Sequence, residues 1–362
     1  MKPFPMKRAS FLVLLFAGAI ASPVDELSCQ GGWTASSPSP CIALGDLAPF
    51  ATWNDPCVVK DGGRFVMFLT RSAAPGKTPV RPYRASSTDG LAWSLEPPTP
   101  LLEPGPPGAF DAMSVETPSV VRFGGLWHLY YTAVKSGLGG PLAIGHAVSA
   151  DGIHWEKSAR NPSLAPGPIA GAFDAMHVAE PAALVREGQV YLYFTAVEAK
   201  ADRFPPARRV IALAKSADGA AFSPPKIVLR QGAAYPPSSG FDGYSTPAAA
   251  VVSGRVHLFY DIGYFDPAAE RKWTQVALHH ASSPDGEGAW VEDAKPIFTR
   301  RSFPWTAMEI RSPAPIVDDQ TLYLYFAGND FPAAFIPEVR LAGRTERFGI
   351  GRAALPIQNL GR

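Results

Sequence analysis

Three carboxylates stand one or two places before the proline of a peptide that recurs along this chain. Trp53-Asn54-Asp55-Pro56, Val115-Glu116-Thr117-Pro118 and Val178-Ala179-Glu180-Pro181 each close on proline and lead into an apolar run. Tyr244-Ser245-Thr246-Pro247 and Ile310-Arg311-Ser312-Pro313 repeat the pattern with neutral or basic residues. Gathered into one pocket, Asp55, Glu116 and Glu180 suit the cleavage of an acetal. One carboxylic acid protonates the leaving oxygen while a carboxylate activates water or attacks carbon. Burial and mutual repulsion would keep one of them protonated near neutrality. A single Asp or Asn before proline also caps turns, so the weight lies on three such residues coinciding.

The elements that must position them repeat too. The prolines fall at 56, 118, 181, 247 and 313, a spacing of 62 to 66 residues that marks a structural repeat. Each unit carries a second, aromatic run: Phe65 to Phe68, Trp127 to Tyr131, Val190 to Phe194, Val256 to Tyr260 and Leu322 to Phe326. Such β-branched and aromatic runs are strands. A third strand ends in a tight turn at Asp89-Gly90, Asp151-Gly152, Asp218-Gly219 and Asp285-Gly286, where glycine supplies positive φ. Trp93, Trp155, Phe222 and Trp290 follow these turns and are expected to pack back across their own hairpins. Fourth strands are expected at Pro100 to Glu103, Pro162 to Ala165, Lys226 to Leu229 and Pro296 to Thr299.

Four antiparallel strands in each of five units describe an all-β, five-bladed β-propeller. The blades start near 53, 115, 178, 244 and 310 and occupy 51–362, while 22–50 packs on the ring or closes it. Either Ile42 to Phe50 or Leu355 to Leu360 completes the fifth blade. A sandwich offers no reason for a fivefold repeat. The first strand of each propeller blade lines the central channel, so the five Pro-terminated peptides should converge on one pocket.

With those peptides the chain resembles the five-bladed-propeller glycoside hydrolases: the arabinanase and β-xylosidase family and the invertase-like fructosidases. The resemblance implies that Asp55, in Trp53-Asn54-Asp55-Pro56, is the base or nucleophile. In those families the second peptide ends Asp-Pro and tunes the acid, and the third supplies the acid as Glu, one residue, then Pro. Here Glu116 stands one place earlier and Glu180 directly precedes Pro181. Successive strand residues face opposite ways, so either glutamate can be the acid; Glu180 is preferred, with Glu116 as its pKa-setting neighbour.

Two other readings stay open. Gly-Ala-Phe-Asp-Ala-Met occurs at 108–113 and 171–176, echoed by Gly240-Phe241-Asp242, and is similar to runs in propellers related to mannoside phosphorylases. That likeness implies phosphate-dependent turnover, with Arg71 and Arg311 as the cationic site. The repetition itself marks Asp111, Asp174 and Asp242 as structural, binding backbone N–H groups. The third reading is a sugar-binding propeller without catalysis. Further substrate contacts are expected from Trp53, Asn54, Tyr244, Phe110, Phe173 and Trp305 at the rim, from Ser245, and from His177 beside Glu180. No cofactor is required, and a structural calcium in the channel is compatible with the pattern.

The ends and composition set the compartment. Lys2, Lys7 and Arg8 precede an uncharged apolar run from Phe11 to Ala21, and Ala19-Ile20-Ala21 offers small residues for signal peptidase. Cleavage is expected after Ala21, giving a secreted or periplasmic protein. Eleven apolar residues are too few to span roughly 30 Å of hydrocarbon, and no later run is longer, so no membrane partner is expected. With 33 Lys plus Arg against 32 Asp plus Glu, the net charge is +1, which argues against nucleic acid. Lys200 to Arg209 reads as a solvated loop. Of the three cysteines, Cys29 and Cys41 could form a disulfide after export and Cys57 opens a core strand. A monomer acting on a carbohydrate is the expectation.

Overall fold

The computed structural model describes residues 31–36, 40–42, 52–72, 79–136, 140–167, 172–200, 202–269, 272–330 and 349–360. The expected export signal and Cys29 lie outside them. Each sequence repeat folds as an antiparallel meander. The inner strands are Thr52–Asp61, Ser114–Phe123, His177–Arg186, Phe241–Val252 and Glu309–Asp318. They pair with second strands Arg64–Ser72, Leu126–Val134, Gln189–Ala199, Arg255–Phe265 and Thr321–Asn329. Third strands follow at Arg81–Ser87, Leu142–Ser149, Ala207–Ser216, Trp273–Ser283 and Gly349–Pro356. The architecture is all-β, and a single parallel pair, Arg209 with Gly243, joins units 3 and 4 into one sheet.

The outer strands fall in the expected places in units 3 and 4 and depart from them in units 1 and 2. They are Ser94–Leu95, Glu156–Lys157, Lys226–Leu229 and, in unit 4, Val291–Glu292 with Phe298–Thr299. In units 1 and 2 the segments near Pro100 and Pro162 run extended but form no ladder, because proline brings no N–H to one; Leu101 N and Leu164 N still bond to Pro82 O and Ile144 O. The fifth unit takes its outer strand from the other end of the chain: Thr34–Ala35 pairs with Gly349–Pro356, and Ile42 bridges Ile350. Leu355 lies in the third strand rather than in a closing one. Cys41 and Cys57 are free thiols; Cys41 Sγ donates to Ile350 O.

Both faces of each meander are apolar, so the core sits between neighbouring units. Trp53, Met67, Leu69 and Tyr83 of unit 1 pack with Ala314, Tyr325 and Ile350 of unit 5; Phe68 faces Val120, Trp127 and Leu129 of unit 2. The aromatics after the Asp-Gly turns obey the same rule. They pack on the preceding unit's second strand, not across their own hairpins: Trp93 on Tyr325, Trp155 on Phe68, Phe222 on Tyr130 and Trp290 on Tyr193. A hairpin face already filled by its own apolar residues leaves these aromatics only the neighbouring unit. Tyr325, Tyr130 and Tyr193 also donate to the turn carbonyls of Gly90, Gly219 and Gly286. Inside each turn the Asp Oδ1 accepts two backbone amides, as Asp89 does from Leu91 and Ala92. Unit 5 is thereby fastened to unit 1.

Candidate active site

The residue before each repeated proline has a left-handed backbone: Asp55, Thr117, Glu180, Thr246 and Ser312 have φ between 47° and 55°. Non-glycine residues avoid this region at a cost of roughly 1–2 kcal/mol. Each marks a bulge, since inner-strand pairing slips between Asn54 and Cys57, Glu116 and Ser119, Ala179 and Ala182, Ser245 and Ala248, and Arg311 and Ala314. A bulge re-aims a side chain and frees its amide from the ladder. The freed amide is claimed by the unit before it. Thr117 N donates to Thr70 Oγ1, Glu180 N to Thr132 Oγ1, Thr246 N to Thr195 Oγ1 and Ser312 N to Asp261 Oδ2. This polar collar compensates the strain at four of the five turns; the position that would serve Asp55 is Ala327, which has no side-chain acceptor.

Those five residues head a channel of about 320 Å³ whose walls are the inner strands, from Asp55 to Val59 in unit 1 and Ser312 to Val317 in unit 5. Next to Ser312 in the chain stands Arg311, 8% exposed. Its Nη2 is 3.8 Å from Asp55 Oδ1 and 3.7 Å from Glu180 Oε1, and its Nη1 is 3.8 Å from Glu309 Oε1. Ser312 Oγ donates to Asp55 Oδ1 at 2.7 Å. Thr246 N donates to Glu180 Oε2 at 3.0 Å. Glu116 accepts from Ser114 Oγ at 2.6 Å. The two carboxylates that share Arg311 Nη2 therefore come from units 1 and 3, and Glu116 belongs to unit 2 between them.

Electrostatics separates their roles. Burial pushes the Asp55 carboxyl up, while Arg311 and the Ser312 hydroxyl pull it back towards ionisation. Burial pushes Glu116 up as well, and the charges of Asp55 and Glu180 add to the rise. Burial alone would lower the Arg311 guanidinium, but Asp55, Glu309, Glu180 and Asp261 together outweigh it and raise it. Burial thus makes Asp55, Glu116 and Asp261 each harder to ionise than a carboxyl in water.

Two of those acids escaped the sequence reading. Asp261 and Glu309 are both fully buried. Asp261 accepts the Ser245 hydroxyl, and burial followed by the charge of Glu180 pushes it up to about 6. Its signal lay in the second strands: aligned by register, Thr70, Thr132, Thr195, Asp261 and Ala327 occupy one position. Glu309 accepts from Gln275 N and Asn329 Nδ2.

Other expected contacts are drawn away from the pocket. Trp53 and Tyr244 are fully buried, Trp53 edge-on to Tyr83 and Tyr244 bonded to Glu292 through its hydroxyl, so neither offers a sugar a free face. Arg71 lies over Trp53 and Tyr83, 5.2 Å from each ring. Ser245 serves Asp261. Asn54 is buried with Oδ1 unpaired. His177 Nδ1 accepts Leu142 N at 3.1 Å, and burial with Arg209 lowers its pKa to about 4. Phe110 packs on Tyr131 and Trp305 stacks on Phe326, while Phe173 is half-buried against the core between units 2 and 3. Two of the three repeated aspartates pair with cations, Asp111 with Lys157 and Asp242 with Arg209. The Lys200 to Arg209 segment is solvated only in part, because Arg209 is spent on buried Asp242. Among the described residues no group of three or more His, Cys, Asp or Glu side chains is arranged to hold a metal ion.

No protein-family model and no curated protein sequence matches the chain. Solved structures do. One described as an RGII complex is 15% identical, with 87% of this protein and 90% of that one aligned at a TM-score of 0.66. A thermostable family-43 glycoside hydrolase is 14% identical over 86% of this protein and 92% of its own length, at 0.61. The GH32 β-fructofuranosidase of Bombyx mori is 15% identical over 86% of this protein and 61% of its own length, at 0.59. The protein has the fold of the β-propeller glycoside hydrolases, the class its Pro-terminated peptides resemble.

Proposed function

We propose that this protein is an exported glycoside hydrolase, a closed five-bladed β-propeller that cleaves glycosidic bonds at the mouth of its central channel. The observation that carries the reading is the pair of carboxylates, Asp55 and Glu180, on equivalent left-handed turns at either side of Arg311, with Glu116 beside them. The bonds from Tyr325 to Gly90 and from Ser312 to Asp55 support closure, since both join the last unit to the first.

Asp55 is the base or nucleophile, held towards its ionised form by Arg311 and Ser312. Glu180 is tied down by the Thr246 amide and Arg311. Glu116 has only the Ser114 hydroxyl and a raised pKa, so the environment favours Glu116 over Glu180 as the general acid. The acid then protonates the leaving oxygen while Asp55 acts on the anomeric carbon, directly or through water. Phosphorolysis finds less support. Arg311 is surrounded by carboxylates that repel phosphate, and Arg71 is stacked on aromatic rings.

The test is a screen of the protein on aryl-glycosides and oligosaccharides of arabinose, xylose, fructose, galactose and mannose, with and without phosphate. Hydrolysis without phosphate is expected, and Asp55→Asn should lower it by about a thousandfold or more. Glu116→Gln should retain turnover on substrates with strongly acidic leaving groups, which need no proton. Phosphate-dependent turnover would move the chain to the phosphorylases, and silence on every substrate would leave a binding propeller. Export predicts a mature N-terminus at Ser22, read by mass spectrometry.

A further inference from the structure

The collar around the channel is threonine in three units and aspartate in the fourth. Thr70, Thr132 and Thr195 each accept the amide of the next unit's left-handed residue through a neutral hydroxyl. Asp261 does the same for Ser312 with a carboxylate that is fully buried. A threonine there would satisfy the amide as it does three times elsewhere, so the collar by itself gives no reason for the charge. A buried carboxylate is costly unless it is paired. Among the described residues no cation touches Asp261 directly: it bonds to the Ser245 hydroxyl and the Ser312 amide.

What the charge can reach is the site. Ser312, whose turn Asp261 holds, donates its hydroxyl to Asp55. Glu180 of unit 3 and Arg311 of unit 5 are the charged groups that face Asp261 most strongly. Arg311 in turn faces Asp55, Glu180 and Glu309, and Glu116 is coupled to Asp55 and Arg311. We propose that Asp261 is a positioning residue for the Asp55–Glu180 pair, acting through the Ser312 turn and through its charge. The first route fixes where the Asp55 oxygen points. The second sets how much of Arg311 is left to Asp55 and Glu180, because a further carboxylate competes for the same guanidinium. The inference deepens the hydrolase reading and rests on it for its catalytic meaning only.

The experiment compares Asp261→Asn, which keeps an acceptor without charge, and Asp261→Thr, which restores the collar of units 1 to 3. Both should fold, as checked by thermal unfolding. Glutamate labelled with ¹³C at the side-chain carboxyl reports the titration of Glu180, assigned by its loss in Glu180→Gln. Removing a neighbouring negative charge makes a carboxyl more acidic, so the Glu180 midpoint should fall by about half a pH unit or more in both variants. On a cleaved substrate kcat should fall about tenfold with KM little changed, and the acid limb of the pH profile should move to lower pH. A Glu180 titration and a pH profile that both stay at wild type would overturn the proposal and leave Asp261 as one more collar residue. If the wild-type protein cleaves nothing, the hydrolase reading has failed, and the Glu180 titration still decides whether Asp261 acts on the pair.

Discussion

Ser312 Oγ donates to Asp55 Oδ1 at 2.7 Å although 257 positions separate the two residues. The bond spans the junction of the first and last repeats, and it adds to Arg311 in favouring the ionised form of Asp55. Ser312→Ala should remove that support while leaving the left-handed turn and its amide bond to Asp261 in place. A hydrogen bond to a charged group is worth about 1.5–3 kcal/mol, so kcat/KM should drop by about tenfold or more. Measured between pH 4 and 8, the drop should be largest on the acid side, where Asp55 takes up its proton earlier.

Arg311 is the cation on which four carboxylates converge. Arg311→Met would leave them facing one another with no guanidinium, and breaking a buried charge cluster by removing one partner costs about 3–5 kcal/mol. The expected result is a large fall in the melting temperature at pH 7. Part of it should be regained towards pH 5, as the carboxylates take up protons and stop repelling one another. A melting temperature that is equally low at both values would mean that Arg311 serves packing rather than charge.

His257 and His280 stack with 2.9 Å between Nδ1 and Nε2, and Asp293 bonds His280 from the other side. Burial, followed by the neighbouring His280, lowers the His257 pKa to about 4. Its folded pKa is therefore below the unfolded value near 6.5. Below that value the unfolded chain binds the proton that the folded one refuses. The contribution of neutral His257 is thus fully present above pH 6.5 and lost as pH falls towards 4. Denaturant unfolding should show His257→Asn destabilised most at pH 7.5 and closest to wild type near pH 4. A gap that does not change with pH would contradict the neutral assignment.

The join between the fifth and first units can be tested without touching the site. A side chain at Gly90 would place its Cβ 2.4 Å from the Tyr325 hydroxyl, at a φ of +71°. Gly90→Ala should cost about 1–3 kcal/mol through strain and clash together. Tyr325→Phe should cost about 1 kcal/mol, the value of its bond to Gly90 O. The double variant should be less destabilised than the sum, because removing the hydroxyl relieves the clash. Strict additivity in thermal or urea unfolding would show that the two do not meet.

The local chemistry of the chain settled a good deal by itself. Strands follow from β-branched and aromatic runs, tight turns from Ser-x-Asp-Gly, and the repeat from the evenly spaced prolines, because each depends on residues a few positions apart. The same peptides named Asp55, Glu116 and Glu180, and the all-β, propeller-like class they implied is the one the solved structures share. What needed the tertiary structure was every property set between units. The left-handed residue at each bulge breaks the alternation of the inner strand, so whether Glu116 or Glu180 faces Arg311 could not be counted off along the strand. Trp53 and Tyr244 are buried because folding brings partners distant in sequence against them, Tyr83 on Trp53 and Tyr260 with Glu292 on Tyr244, which no pattern along one strand records. Asp261 and Glu309 sit among aromatic and polar strand residues of ordinary appearance, and they become part of the site only when sheet pairing and ring packing bring units 1, 3, 4 and 5 around one guanidinium. Composition and spacing act along the chain, whereas the ionisation of a carboxyl is decided by water excluded and charges met across the channel.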